Sequence, residues 1–366
     1  MRKVLVTGIS GFVGQHCAAE LLKNGYSVKG SVRSLSRIDE VLNGINKEID
    51  SKGNLEFCEL DLMKDVGWDK AMEGCDYVLH VASPFVIKIP NDENELIKPA
   101  VDGTLRALKA AKKAGVKRVV ITSSTAAMQG GQSGTIKINQ NSWTNINGKN
   151  VTAYFKSKTL AEKSAWEFIK NQTDDTKLEL VVINPGPIYG PTLTGNLESE
   201  SMDFFKKLIL GKVPMLPKAS SVMSDVRDIA SIHVKALTNE KANGNRFLVT
   251  TEVSHNFQEI AQILKSNGFK KVSTKLAPTF LLKFIAFFDN EMKGMLPFVG
   301  NTIEADLSNT MNIFNWKPIS FEKTVLDTAL SVEQTINKNM SYPLKKNKFF
   351  QIIKKVVRSS NFIITR

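Results

Sequence analysis

Tyr154 and Lys158 stand four residues apart in a stretch with helical patterning, Thr152–Asn171, so their side chains share one helix face. A phenol with an ordinary pKa of about 10 exchanges protons poorly at neutral pH. An ammonium close by favours the phenolate and moves that pKa toward a useful value. Five tyrosines and 49 Lys/Arg among 366 residues give roughly 0.7 such pairs by chance, so position has to carry the argument. The pair follows a β-run, Arg118–Ile121, that ends in Thr122-Ser123-Ser124-Thr125. These hydroxyls sit at the carboxyl end of a strand, where sheets of alternating α/β chains bind ligands. One of Ser123 and Ser124 can hydrogen-bond a carbonyl and steady the developing alkoxide, while the other serves the turn.

A second group of residues lies at the start. Gly8-Ile9-Ser10-Gly11-Phe12-Val13-Gly14 joins a first β-run, Val4–Thr7, to an amphipathic stretch, Gly11–Asn24. Glycines let the chain turn sharply and let backbone N–H groups approach a pyrophosphate, to which a helix N-terminus adds partial positive charge. The spacing is G-x-x-G-x-x-G rather than the G-x-G-x-x-G of many dehydrogenases. In this context it reads as a dinucleotide cradle built from Gly8, Ser10, Gly11, Phe12, Val13 and Gly14. The next β-run, Ser27–Val32, leads into Arg33, with Arg37 one helical turn on. A site for NAD places Asp or Glu about 20 residues beyond the glycines. Arg33 takes that place, and no acid lies between it and Asp39. A guanidinium grips a 2′-phosphate and stacks on adenine, so the expected cofactor is NADP(H). A positive nicotinamide would add to the ammonium in favouring the phenolate of Tyr154. Asp61 and Leu62, after the third β-run, are placed to meet the adenine amino group, although Asp61 can equally cap the following turn.

Bringing these groups together requires a scaffold that gathers strand ends. Short β-branched runs at Val4–Thr7, Ser27–Val32, Leu55–Cys58, Tyr77–Val81, Arg118–Ile121 and Glu179–Ile183 alternate with helical patterns near Gly11–Asn24, Asp69–Glu73, Glu95–Ala114 and Thr152–Asn171. That alternation predicts an α/β fold, a Rossmann-type doubly wound parallel sheet. After Pro185 prolines punctuate shorter segments, Asp225–Thr238 is helical again, and Arg246–Thr250 reads as a strand. Residues 255–335 hold amphipathic helices without regular strand alternation. The expected organisation is a cofactor domain over 1–185 to which 222–250 returns, and a smaller C-terminal substrate lobe from 186–221 and 251–335.

These residues together resemble the extended short-chain dehydrogenase/reductase family, in particular its dihydroflavonol 4-reductase-like and NADPH-dependent aldehyde reductase branch. The resemblance covers roughly residues 1–335. Besides the glycine loop, Ser31-Val32-Arg33 and Asp61-Leu62, it rests on His80-Val81-Ala82-Ser83-Pro84, Thr122-Ser123-Ser124 and Trp143-Thr144. It continues in Tyr154-Phe155-Lys156-Ser157-Lys158-Thr159-Leu160-Ala161-Glu162, Asn184-Pro185-Gly186-Pro187-Ile188-Tyr189-Gly190-Pro191 and Asp225-Val226-Arg227-Asp228. It implies Ser124 as the carbonyl-binding residue, Tyr154 as the proton donor, and Lys158 as partner of the ribose and of the tyrosine. Val81, Ala82, Ser83 and Ser123 would line the cofactor groove, Pro185 would meet the nicotinamide carboxamide, and Gln129 would select substrate. His80 reads as a packed strand-end residue. The chain departs from relatives at Asp102, where many have Asn, and at Asn184, where sugar-nucleotide enzymes commonly have Arg. Ser34 replaces an acid that often follows the cofactor arginine, and the cinnamoyl-CoA reductase signature around the tyrosine is absent.

Composition bounds what else the chain can be. At 42% hydrophobic and 23% charged residues it is neither disordered nor fibrous. Three cysteines without a C-x-x-C pair predict neither a disulfide framework nor a metal site, and fit a reducing compartment. Met1–Gly8 reads as a strand entering a turn rather than a signal peptide, and Phe280–Phe288 is far short of the ~20 apolar residues of a spanning helix. A cytoplasmic protein is expected. Residues 341–366 carry seven Lys/Arg and no acid, so without them the net charge of +13 falls to +6 for residues 1–340. The basic balance thus belongs partly to this tail and is no nucleic-acid footprint. The tail reads as a basic amphipathic helix on a membrane surface or partner, or as a disordered or core-packed extension.

The expected partner is a small carbonyl substrate, with the chain a monomer or homodimer. The leading expectation is reduction of an aldehyde or ketone. An NAD(P)-dependent epimerase or 3-beta-hydroxysteroid-type dehydrogenase/isomerase, and a non-catalytic NADP(H) sensor, are the alternatives.

Overall fold

Alternate residues of the first strand, Lys3–Thr7 (β1), bury against opposite layers: Val4 and Val6 join one apolar cluster and Leu5 another. Tyr77–His80 (β4), Arg118–Thr122 (β5) and Glu179–Pro185 (β7) divide in the same way. Leu79, Val120, Val181 and Ile183 enter the first cluster; Val78, Val119, Leu180 and Val182 enter the second. A strand covered on both faces is what a near-continuous apolar run encodes. The computed structural model describes residues 1–83, 90, 92–173, 177–280, 282, 294 and 296–341.

With Ser27–Val32 (β2), Leu55–Glu59 (β3) and Arg246–Val249 (β11), these strands form a seven-stranded parallel sheet in the order β11-β7-β5-β4-β1-β2-β3. Each β-run expected from the sequence is a strand of this sheet, and the fold class is the doubly wound one expected. Phe12–Lys23 (α1), Ile38–Ile45 (α2) and Val226–Ala236 (α8) supply the first cluster. Trp68–Met72 (α3), Asn94–Lys113 (α4) and Ala153–Lys170 (α6) supply the second. The chain order reverses between β1 and β4, which places a crevice at their carboxyl ends.

A third cluster joins Glu200–Ile209 (α7), Phe257–Ser266 (α9) and Phe321–Ser341 (α11) through Met202, Phe205, Ile260, Leu264, Val325 and Ala329. The Asp225–Asp228 motif fastens this part to the sheet. Asp225 caps α8 and accepts from Thr324 Oγ1 at 2.8 Å, and Arg227 Nη1 donates to Asp327 of α11 at 2.6 Å. Asp228 accepts from Trp316 Nε1 at 2.9 Å and from the Ile319 amide at 2.8 Å. Ser308–Phe314 (α10) packs Phe314 edge-on to Phe247 of β11.

Sequence periodicity leaves three short pairings out. Thr135–Ile138 (β6) and Thr302–Ala305 (β13) form a parallel pair, although no strand was expected in either segment. Short ladders join Ile188–Tyr189 (β8) to Ser224–Asp225 (β10) and Ser220–Ser221 (β9) to His255–Asn256 (β12). Two-residue strands carry no readable period. Ala126–Gln129 (α5) turns the chain after the serines. Pro84, most of the apolar stretch 280–288 and the tail from 342 onward lie outside the described residues. Among the described residues no helix is long and apolar enough to cross a membrane.

Three histidines are buried in the uncharged form. Burial first of all holds His16, His80 and His233 down to about 4. His233 donates from Nδ1 to the Ile229 carbonyl at 2.8 Å and meets Thr122 Oγ1 through Nε2 at 2.7 Å. Once unfolded, each takes its proton at the ordinary value near 6.5. The unfolded chain therefore binds more protons between pH 4 and 6.5, and the stability held above pH 6.5 is lost as pH falls through that window. The melting temperature followed by circular dichroism should drop across this range. His233→Gln should flatten the dependence by about one proton, ~1.4 kcal/mol per pH unit; an unchanged slope would contradict the assignment.

Candidate active site

At the sheet crevice the end of β1 is locked to the end of β4 by one hydroxyl. Thr7 Oγ1 accepts from the amides of Val81 and Ala82, both at 3.1 Å, and donates to His80 Nδ1 at 3.0 Å. That leaves the His80 proton on Nε2, and the ring stays neutral. His80 is a packed strand-end residue, as expected. Thr7 was not singled out by its sequence position, because its partners lie more than seventy residues on.

The lock sets the backbone against the glycine loop. Gly8 has φ +68°, a left-handed conformation suited to glycine, and a Cβ there would approach Ala82 to 3.0 Å. A Cβ on Gly14 would come within 2.4 Å of the Gly8 carbonyl oxygen. Gly11 begins α1 and no side chain caps the helix, so first-turn amides remain available to an anion. This is the cradle a pyrophosphate fits: glycine surfaces on the loop, and amide donors behind it. Ser31 Oγ accepts from the Gly8 amide at 3.1 Å and closes the loop onto β2. The side chains of Phe12 and Val13 face the apolar clusters.

Past β2, Arg33 is exposed, and no described residue forms an ion pair with it. Arg37 is bound instead to Glu40, from Nε at 2.9 Å and from Nη2 at 3.1 Å, so an anion must compete with a carboxylate for it. Asp61 accepts from the Met63 amide at 2.9 Å, which is the turn-capping role left open by the sequence. Leu62 packs beneath Gly103 of α4. Val81, Ala82 and Ser83 are half-buried beside the loop, and Pro185 is buried at the end of β7.

The residues expected to handle the proton meet at the ends of β4 and β5. Thr152 caps α6 and so fixes where Tyr154 and Lys158 emerge. Tyr154 is hydrogen-bonded to Ser124, whose Oγ also accepts from the Ala126 amide at 3.1 Å. Lys158 donates to Ser83 Oγ at 3.0 Å, and its Nζ lies 5.9 Å from the centre of the Tyr154 ring. Burial pushes the Tyr154 phenol up to about 12, against the bond from Ser124, and draws Lys158 down to about 8. This corrects the expected direction for the tyrosine. Loss of solvent outweighs the ammonium, because the ammonium is directed at Ser83 rather than at the phenol oxygen.

The two serines separate in role. Ser124 faces the tyrosine, whereas Ser123 Oγ donates to Glu162 at 2.5 Å inside the fold. The Ser123 hydroxyl therefore has a partner other than the cofactor groove expected of it. Gln129 is buried on α5, and its Oε1 has no hydrogen-bond partner among the described residues. Asp102 pairs with Lys98 along α4 at 3.2 Å.

Residues 4–249 match the model of the NAD dependent epimerase/dehydratase family. The NADPH-dependent methylglyoxal reductase GRE2 of Saccharomyces cerevisiae is 32% identical over 282 residues, covering 72% of this chain and 82% of that protein. Cinnamoyl-CoA reductase CAD2 of Medicago truncatula is 33% identical over 268 residues, covering 72% of this chain and 79% of its own length. The crystal structure of Gre2 in complex with NADPH from Candida albicans matches with a TM-score of 0.75 at 26% identity, over 92% of this chain and 99% of that one. By sequence and by fold, the chain belongs to the NAD dependent epimerase/dehydratase family, within the extended short-chain dehydrogenase/reductases.

Proposed function

We propose that the chain reduces an aldehyde or ketone to an alcohol with NADPH, and that Ser124, Tyr154 and Lys158 do the protein's part. The observation that carries the reading is the Ser124–Tyr154 hydrogen bond formed beside Lys158 at the carboxyl end of β5. When bound, NADPH supplies the hydride that the carbonyl carbon receives. Gly8, Ser10, Gly11, Phe12, Val13 and Gly14 hold its pyrophosphate, and Arg33 its 2′-phosphate, with Arg37, Asp61 and Leu62 at the adenosine end. Val81, Ala82, Ser83 and Pro185 line the path to the nicotinamide. Residues 1–185 with 222–250 form the cofactor part, and 186–221 with 251–335 the substrate lobe.

The chain's own groups suit the reducing direction. A phenol near 12 is fully protonated at neutral pH, so Tyr154 holds a proton ready for the carbonyl oxygen. Ser124 donates to the same oxygen and orients it. Lys158, cationic below about 8, favours the phenolate left after transfer. Among the described residues the buried Gln129 Oε1 has no partner, which leaves it free for a substrate polar group. Relatives that act on methylglyoxal and on cinnamoyl-CoA set the test panel, and the missing thioester signature around Tyr154 favours free aldehydes and ketones. The Asn184 amide is bound to Ser124 O at 3.2 Å and to Glu162 at 2.9 Å, an internal role that weakens the sugar-nucleotide alternative.

The test is NADPH oxidation against aldehydes, ketones and UDP-sugars. Tyr154→Phe should lower turnover by about 100-fold or more while NADPH still binds; full turnover in that variant would sink the mechanism. Binding without turnover by the wild type would favour a sensor. In the active enzyme, kcat/KM should fall on the alkaline side with a midpoint near 8, as Lys158 loses its proton. A flat profile to pH 10 would count against Lys158. Arg33→Ser should weaken NADPH about tenfold, by the loss of a charge-assisted contact, and leave NADH nearly unchanged.

A further inference from the structure

One buried carboxylate behind the proposed site accepts four donors from four parts of the chain. Glu162 lies one turn beyond Lys158 on α6, on the face that also carries Tyr154, and its side chain is wholly buried. Its Oε2 accepts from Ser123 Oγ at 2.5 Å and from Asn184 Nδ2 at 2.9 Å. Its Oε1 accepts from Trp166 Nε1 at 3.3 Å and from Arg246 Nε of β11. Asn184 Nδ2 also reaches the Ser124 carbonyl at 3.2 Å. Arg246 extends the network. Its Nη1 donates to the carbonyls of Gln140 and Ser142, and its guanidinium lies 3.8 Å from the Trp143 ring centre. Thr144, next along, donates to the Ala126 carbonyl of α5 at 2.7 Å.

We propose that Glu162 is a positioning residue, which holds the Ser123–Ser124 strand end and Asn184 at a fixed distance from the helix carrying Tyr154. The proposal rests on the reductase reading of that site. Its physical basis is the number of donors. Burying a carboxylate is costly unless hydrogen bonds and a counter-charge satisfy it, and here both are present. A glutamine of the same shape turns an NH₂ group toward either the Ser123–Asn184 pair or the Trp166–Arg246 pair, so donor faces donor on one side. The strand end and helix then shift apart, and Ser124 moves with its carbonyl. A second effect follows from charge. Lys158 is faced by Tyr154 and Glu162 on its own helix, by His80 at the end of β4 and by Ser83 beyond it. Of these Glu162 is the anion, and it opposes the fall that burial imposes on Lys158.

The experiment compares wild type, Glu162→Gln and Asn184→Ala in full-length protein. It measures kcat, KM for the carbonyl, NADPH affinity by fluorescence and the pH profile. Glu162→Gln should lower kcat by about 10–100-fold, the scale of a small misplacement of reacting groups, with NADPH affinity within about twofold. Its alkaline limb should move to lower pH, which mere loosening of the fold would not produce. Asn184→Ala keeps the charge but cuts the tie to Ser124, so kcat should fall about tenfold with the limb in place. Wild-type kcat and an unmoved limb in Glu162→Gln would overturn the proposal while the wild type still turned over. Should Glu162→Gln not fold, unchanged kcat in Asn184→Ala overturns it. A wild type without NADPH-dependent turnover removes the reductase reading and this inference together.

Discussion

The parting of the chain between β1 and β4 is the constraint on which the rest depends. Strands on either side of that point lead into connections that run in opposite directions, so their carboxyl ends cannot be covered by the same helix. The gap must still be held at a fixed width, and the Thr7 hydroxyl does this with two backbone amides and one histidine. Ala82 then lies where only a glycine at position 8 leaves room. Ser83 follows immediately and takes the Lys158 ammonium. Cofactor loop and proposed proton-transfer helix are thereby referenced to the same few atoms.

Across the sheet, the end of β5 is referenced in a similar way from below. Ser123 and Ser124 are neighbours with opposite duties, since one hydroxyl is anchored to Glu162 and the other is turned to Tyr154. Burial then sets the chemistry. Both Tyr154 and Lys158 are pushed toward their neutral forms, one up to about 12 and the other down to about 8. The tyrosine therefore keeps its proton at neutral pH, and the lysine stays charged there with little to spare.

The sheet was legible because its strands are covered on both faces. Val4–Val6, Val119–Ile121 and Leu180–Ile183 read as apolar runs whatever their neighbours are. Gly8, Gly11, Gly14, Tyr154 and Lys158 were legible because their spacing is local, set by one turn or one helix. What could not be read depends on partners far along the chain. The β6–β13 pair joins segments 167 residues apart, and its four-residue period gives no hint of the second strand. Thr7 meets His80 and Arg246 meets Glu162 through packing rather than pattern. The Tyr154 pKa was misjudged for the same reason. Helical spacing gives the nearness of an ammonium but neither its aim nor the depth of burial. The basic tail from 342 lies outside the described residues, so its expected membrane or partner contact belongs to the sequence alone.

Direct transfer from cofactor to carbonyl carbon lies at the centre of the proposed reaction, and isotope tracing reads it without reference to any variant. The purified chain would be incubated with NADPH carrying deuterium at the transferable nicotinamide C4 position and an aldehyde that it consumes, and the alcohol product analysed by mass spectrometry. One deuterium on the former carbonyl carbon is expected in nearly every product molecule. Product whose carbon-bound hydrogen comes from solvent, or NADPH consumed without labelled alcohol, would contradict it.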